Sequence, residues 1–189
     1  MKRFFLLIIA LSLMISLLGC GSNVQSGIKG YDDDDIAAIV KGKEITIGDL
    51  RLLYPDDEVL ENIEGAVKLD LMLQEAKRMD IDVSDNIDQQ TETMLMLPFR
   101  DKEDPFGKSM REFIESQAQK LSMDPEEYYR KYVEIRSEQI AYMDAYALEM
   151  FGEPDAYNED GLEVYNEKAN DFLHELVKEH EKDIEILIK

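Results

Sequence analysis

The final stretch of the chain, Asp183-Ile184-Glu185-Ile186-Leu187-Ile188-Lys189, repeats its apolar positions every second residue. The body before it repeats them every three to four, the spacing of an amphipathic helix. On an extended backbone Ile184, Ile186 and Ile188 face one way, so this run is a strand. A lone apolar strand cannot stand by itself, because its open edges invite aggregation. The good candidate partner lies at the other end of the body, where two short β-type runs, residues 36–40 and 43–46, are joined through a Lys41-Gly42-Lys43 turn. The chain is therefore expected to be mainly α with a small terminal β-sheet, a helical core closed by N- and C-terminal strands.

Between those strands the sequence marks its helices with start and stop signals. Thr46 is a good N-cap with Asp49 three residues on, and Ile45 can staple to Leu50. A brief helix around 49–53 should stop at Pro55. The pattern predicts a helix over 56–79, with Val59, Leu60, Ile63, Val67 and Leu71 on one face. Ser84 is expected to cap a helix that ends near Leu97, before Pro98. Phe106, Met110, Phe113, Ile114, Ala118 and Leu121 mark the next. Asp124, Pro125 and Glu127 supply an N-cap, a first-turn proline and an acid at the third position. That helix should end at Gly152, followed by Pro154. Asn158 or Asp160 is expected to open the last one.

The first nineteen residues read as a signal peptide, with Met1-Lys2-Arg3 ahead of an apolar run from Phe4 to Leu18. They end in Leu17-Leu18-Gly19-Cys20, which resembles the bacterial lipobox. Cys20 is the one cysteine of the chain, and the resemblance implies that it carries a diacylglycerol and becomes the new N-terminus. Cleavage would remove two basic residues and no acids, taking the formal charge from -21 to -23. So acidic a body should be repelled by anionic lipid and by nucleic acid. The expected partner is therefore neither, and membrane contact is expected through the lipid alone. Residues 20–35 read as a lipidated cysteine and a flexible acidic tether ending in Asp32-Asp33-Asp34-Asp35, a coil of roughly 20 Å r.m.s. reach. Consecutive aspartates lack the alternating spacing of a calcium loop, so the run is read as a solvated spacer. Residues 36–189 are then one domain.

The order strand, Gly turn, Ile-Thr helix start and long helix resembles the N-terminal chaperone domain of the SurA and PrsA foldases. That family reads Val-x-Gly-x-x-Ile-Thr and later Gln-Glu-Ala-Lys-x-x-Gly-Ile-x-Val-Ser-Asp. The matches here are Val40, Gly42, Ile45 and Thr46, then Gln74, Glu75, Ala76, Lys77, Ile81, Val83, Ser84 and Asp85. The start at Ser122, Glu126, Glu127 and Tyr128 resembles the family's Ser-x-Glu-Glu-Tyr helix. The family's parvulin isomerase domain needs roughly ninety residues and has no room between Gly152 and Gly161. The resemblance thus implies a chaperone core without its isomerase, so no enzyme and no cofactor. It also implies an extracytoplasmic lipoprotein of a Gram-positive cell membrane.

No other chemistry stands out. His174 and His180 lie six apart, which does not suit two ligands of one metal on a helix, and no nucleophile elbow or phosphate loop is present. Met94, Met96, Phe99, Tyr128, Tyr129 and Tyr132 are the candidate client-binding residues, because Met and Tyr suit adaptable apolar contacts. Core packing is the competing reading for most of them. Tyr128 and Tyr129 are not expected to share the core, and Met94 and Met96 should point apart. The expected function is non-catalytic binding of unfolded or extended segments of exported proteins, in a groove between the helical core and the sheet. The alternatives are an envelope interaction subunit that binds one folded partner, and an envelope hydrolase of unrecognised type.

Overall fold

The computed structural model describes residues 28, 30–99, 104–153 and 161–188. The signal peptide, Cys20 and the Asn158 or Asp160 helix start lie outside the described residues. Two strands, β1 (Ile36–Val40) and β2 (Lys43–Thr46), form a hairpin, followed by α1 (Ile47–Leu53), α2 (Ile63–Arg78), α3 (Ser84–Met96), α4 (Pro105–Lys120), α5 (Pro125–Phe151), α6 (Gly161–Glu179) and β3 (Ile184–Ile186). A 3-10 turn at Leu97–Phe99 extends the end of α3, and another at Glu181–Asp183 leads into β3.

The two ends do meet. The sheet runs β2-β1-β3 with both pairs antiparallel, and Val40 lies opposite Ile184 while Ala38 lies opposite Ile186. The hairpin turns on two residues, Lys41 at φ 50° and Gly42 at φ 83°, the left-handed pair that matches the twist of the flanking strands. Lysine pays a steric penalty there, and α2 holds it in place. Lys41 Nζ reaches Glu75 at 2.7 Å, Lys43 pairs with Asp70, and the Gln74 amide donates to the Val40 carbonyl at 3.0 Å. Glu75 also accepts from Arg78 at 2.7 Å. The hydrogen bond from Lys41, with help from Arg78, holds the Glu75 carboxyl below its ordinary range despite burial.

Local signals set the ends of most helices. Thr46 and Asp49 form a reciprocal capping box at the start of α1. Asp124 accepts from the amides of Glu126 and Glu127 at the start of α5, and Gly152 ends that helix at φ 73°. Three expectations differ. Residues 56–62 form turns, and α2 begins only at Ile63. The Asp56 carboxylate is held by Arg51 and Lys120, which fixes the chain just after Pro55; Val59 stays buried but Leu60 faces out. Ser84 is the first residue of α3 and not its cap: Val83 holds the cap position without a side-chain bond, and Asp82 accepts from the Ser84 amide at 3.1 Å and hydroxyl at 2.8 Å. The aspartate run is also not simply spacer. Asp33 pairs with Arg51, its carbonyl accepts from Gly48, and the Asp35 carbonyl accepts from Ile47.

The apolar side chains gather in two clusters. One joins the sheet to α1, α2, α6 and the end of α5, around Val40, Ile47, Leu71, Tyr146, Leu176 and Ile188. The other lies between α3, α4 and the first half of α5, around Met94, Ile114, Ala118, Tyr128 and Val133. Helix α5 is 27 residues long and contributes to both.

Candidate functional site

Where the two clusters meet, the carbonyls at the end of α1 need partners, as at any helix C-terminus. Three side chains of other helices supply them. Lys120 Nζ donates to the Arg51 and Tyr54 carbonyls at 2.7 and 2.8 Å, Gln117 to the same two at 3.3 and 3.1 Å, and the Tyr128 hydroxyl to Leu52 at 3.1 Å. The Arg51 guanidinium, 2% exposed, is the centre of this node. It pairs with Asp33 and, at 2.9 Å, with Asp56, which Lys120 approaches at 3.2 Å. Burial pushes the Lys120 ammonium down and Asp56 opposes it. Burial would raise the Asp56 carboxyl, but hydrogen bonds from Arg51 and Lys120 outweigh it and hold the group below its usual value. Two cations thus balance two carboxylates. Among the described residues no buried side-chain nitrogen or oxygen lacks a partner, so the node closes on itself as a structural joint.

The candidate client-binding residues surround a different place. Tyr128 and Tyr129 are both buried, contrary to expectation. They sit about 100° apart on α5, and α3 and α4 cover both faces. The Tyr129 hydroxyl donates to the Met94 carbonyl, which ties α5 to α3. Tyr132, half-buried, packs edge-on to Phe113 at 5.3 Å between ring centres, with the Arg136 guanidinium 5.8 Å from its ring. Burial pushes the Tyr129 phenol up to about 12 and raises Tyr128 further. Met94 is core, whereas Met96, two residues on, is 66% exposed, as their angular separation requires. The side chain of Phe99 lies outside the described residues.

Beside this cluster a cleft of about 640 Å³ opens between α3, α4 and the start of α5. Leu95, Pro98, Ile114, Pro125 and Tyr129 form its apolar walls, and Arg111, Glu115, Glu126 and Arg130 stand around them. Arg130 is engaged with Glu126 at 2.6 Å, and Arg111 donates to the Pro98 carbonyl at 2.8 Å. Of the six residues singled out from sequence, Tyr129 alone among those with described side chains lines this cleft. The sequence marks the apolar run 94–99 as a feature that could bind, but the candidates drawn from it are Met94, Met96 and Phe99 and not Leu95; Ile114 is missed because it reads as ordinary helix stripe.

A second groove of about 510 Å³ lies between the helical core and the sheet, bordered by β2, α1, α2 and α5. Its floor includes Ile45, Leu50, Leu69, Leu73 and Ile135, but its rim is charged and mostly paired, Lys43 with Asp70 and Lys77 with Glu138 at 2.7 Å. Among the described residues no three histidines, cysteines or acids are grouped to hold a metal ion, and no helix is long and apolar enough to cross a membrane. His174 is exposed, while His180 lies 3.8 Å from Glu75 and 3.5 Å from Asp183. No protein-family model, no curated protein and no solved structure matches the chain.

Proposed function

We propose that the chain is a membrane-tethered, non-catalytic protein that holds extended or non-native segments of exported proteins outside the cytoplasm. The observation that carries this reading is the apolar cleft beside α3, α4 and α5, with Leu95 partly exposed in its wall. An extended segment would bury apolar side chains on Leu95, Ile114 and Tyr129, while Arg111 and Glu115 offer contacts to its main chain. Each apolar side chain so buried contributes about 1.5–3 kcal/mol before ordering costs, which suits weak and reversible holding. The acidic surface keeps such a complex soluble.

Backbone geometry lends support to the SurA/PrsA resemblance. Asp80 stands where the family pattern has glycine, and it takes φ 57°, a conformation that glycine reaches at little cost. Gly42, at another family position, takes φ 83°. The test is aggregation of a chemically denatured client with the full-length chain in molar excess. Slowed aggregation is expected, and Leu95→Asp should weaken it without lowering the melting temperature. No slowing across several unrelated clients would overturn the reading. Recovery of one folded protein in stoichiometric amount from membranes would instead favour a dedicated envelope partner.

A further inference from the structure

The sheet has two edges, and they are not equivalent. In an antiparallel ladder, alternate residues turn their amide and carbonyl toward the neighbour and away from it. The Lys41 amide donates to the Asp183 carbonyl at 2.7 Å and the Leu187 amide to the Ala37 carbonyl at 2.9 Å. Asp183 and Leu187 therefore face β1, and by alternation Glu185 does too, opposite Ile39. Ile184 and Ile186 turn their main-chain groups outward, and no hydrogen bond to those groups is seen among the described residues. On β2 the same reasoning leaves only Glu44 turned outward. That edge ends at Thr46, whose amide is taken by Asp49, and Lys43 stands on it, a combination that discourages pairing.

We propose that the free edge of β3 is a strand-addition site for an extended, cationic-apolar segment of a partner protein. Four outward main-chain groups, two donors and two acceptors, can bond an added strand. Ile184 and Ile186 are only half-buried, so the residues opposite them would complete the cover of the core face and should be apolar. Glu185 points to the opposite, exposed face. In sequence it is preceded by Glu181, Lys182 and Asp183 and followed by Lys189, in a chain of formal charge -21. The residue opposite Glu185 should therefore be basic. A second copy is a poor occupant. Outward residues must pair with outward residues, which sets Ile184 against Ile186 of the copy and Glu185 against Glu185, like charges face to face.

This site is separate from the cleft, so the two readings stand or fall apart. The test uses the full-length chain with three synthetic hexapeptides: alternating valine and lysine, alternating valine and glutamate, and the lysine peptide N-methylated at every second amide. The lysine peptide is expected to bind and to slow amide exchange at Ile184 and Ile186 while leaving Glu185 unchanged. The glutamate and N-methylated peptides should bind at least several-fold more weakly. Glu185→Lys, an exposed change that leaves the ladder to β1 intact, should reverse the charge preference by roughly three- to tenfold. Equal binding of all three peptides, no slowing at Ile184 and Ile186, or no reversal by Glu185→Lys would overturn the proposal. So would protection of those two amides by self-association in the absence of peptide.

Discussion

Gly48 shows how one missing side chain lets the acidic segment dock. A Cβ there would stand 3.0 Å from the Asp33 carbonyl oxygen and 3.2 Å from the Asp33 Cβ, too close for backbone to tolerate without moving. Gly48→Ala is therefore expected to push Asp33 off α1, costing about 1 kcal/mol and exposing the 31–35 segment to proteolysis. Limited digestion of the variant beside the parent chain measures this; identical cleavage would contradict it. Glu75 gives the acid response of the fold. Its folded-state pKa is below the unfolded one, so its contribution is complete above the ordinary glutamate range and is lost as pH falls through the folded value. Denaturant midpoints should decline on acidification below about pH 4.5, less steeply in Glu75→Gln. At the alkaline end the sign reverses. Tyr129 titrates near 12 when folded, against 10.0 ordinarily, so its contribution holds below pH 10 and is lost as pH rises toward 12.

Among the elements, the caps and the period were legible and the long-range holds were not. Thr46 with Asp49, and Asp124 with Pro125, are local pairs whose chemistry needs no knowledge of the fold. The strand nature of the C-terminal run followed from its period of two, and its pairing from the lack of another suitable partner. The helix expected at 56–62 failed because apolar spacing does not register that Asp56 is gripped by two cations from elsewhere. The tyrosines failed for a related reason: whether two adjacent faces of α5 are covered depends on α3 and α4, which the α5 sequence cannot announce. The cleft was likewise out of reach, since Leu95, Ile114 and Pro125 meet only in three dimensions. One element carries an outsized share of closure. Deleting residues 183–189 removes one neighbour of the central strand along with buried Ile188 and half-buried Ile184 and Ile186. It should cost about 4 kcal/mol or more. Thermal melting by circular dichroism reads the loss, and an unchanged midpoint would mean that β3 is dispensable.

At the scale of the molecule, two apolar clusters behave as one unit only if their joint holds. Besides α5, the joint is the Arg51 node, to which Asp33, Asp56, Gln117 and Lys120 converge from three parts of the chain. Arg51→Met keeps the volume and removes the charge. It should cost about 1–3 kcal/mol, less than a fully buried pair because Asp33 and Asp56 stay partly wet and Lys120 still faces Asp56. More tellingly, hydrogen exchange in α3 and α4 should quicken before that in β1 and α2, whereas in the parent chain the two regions should be protected together. Uniform loss of protection would show that α5 alone couples them.

The placement of β1 has a mechanical consequence. It is the central strand, and the chain reaches it from the N-terminal side. A pull along that side first loads Asp33 against Arg51 and the two amides of α1, then draws β1 lengthwise between β2 and β3. Hydrogen bonds in antiparallel ladders lie perpendicular to the strands, so such a load shears them together instead of peeling them in turn. A domain held by its N-terminal segment thus meets tension with its stiffest direction, and the same segment pulled sideways would open the sheet far more easily.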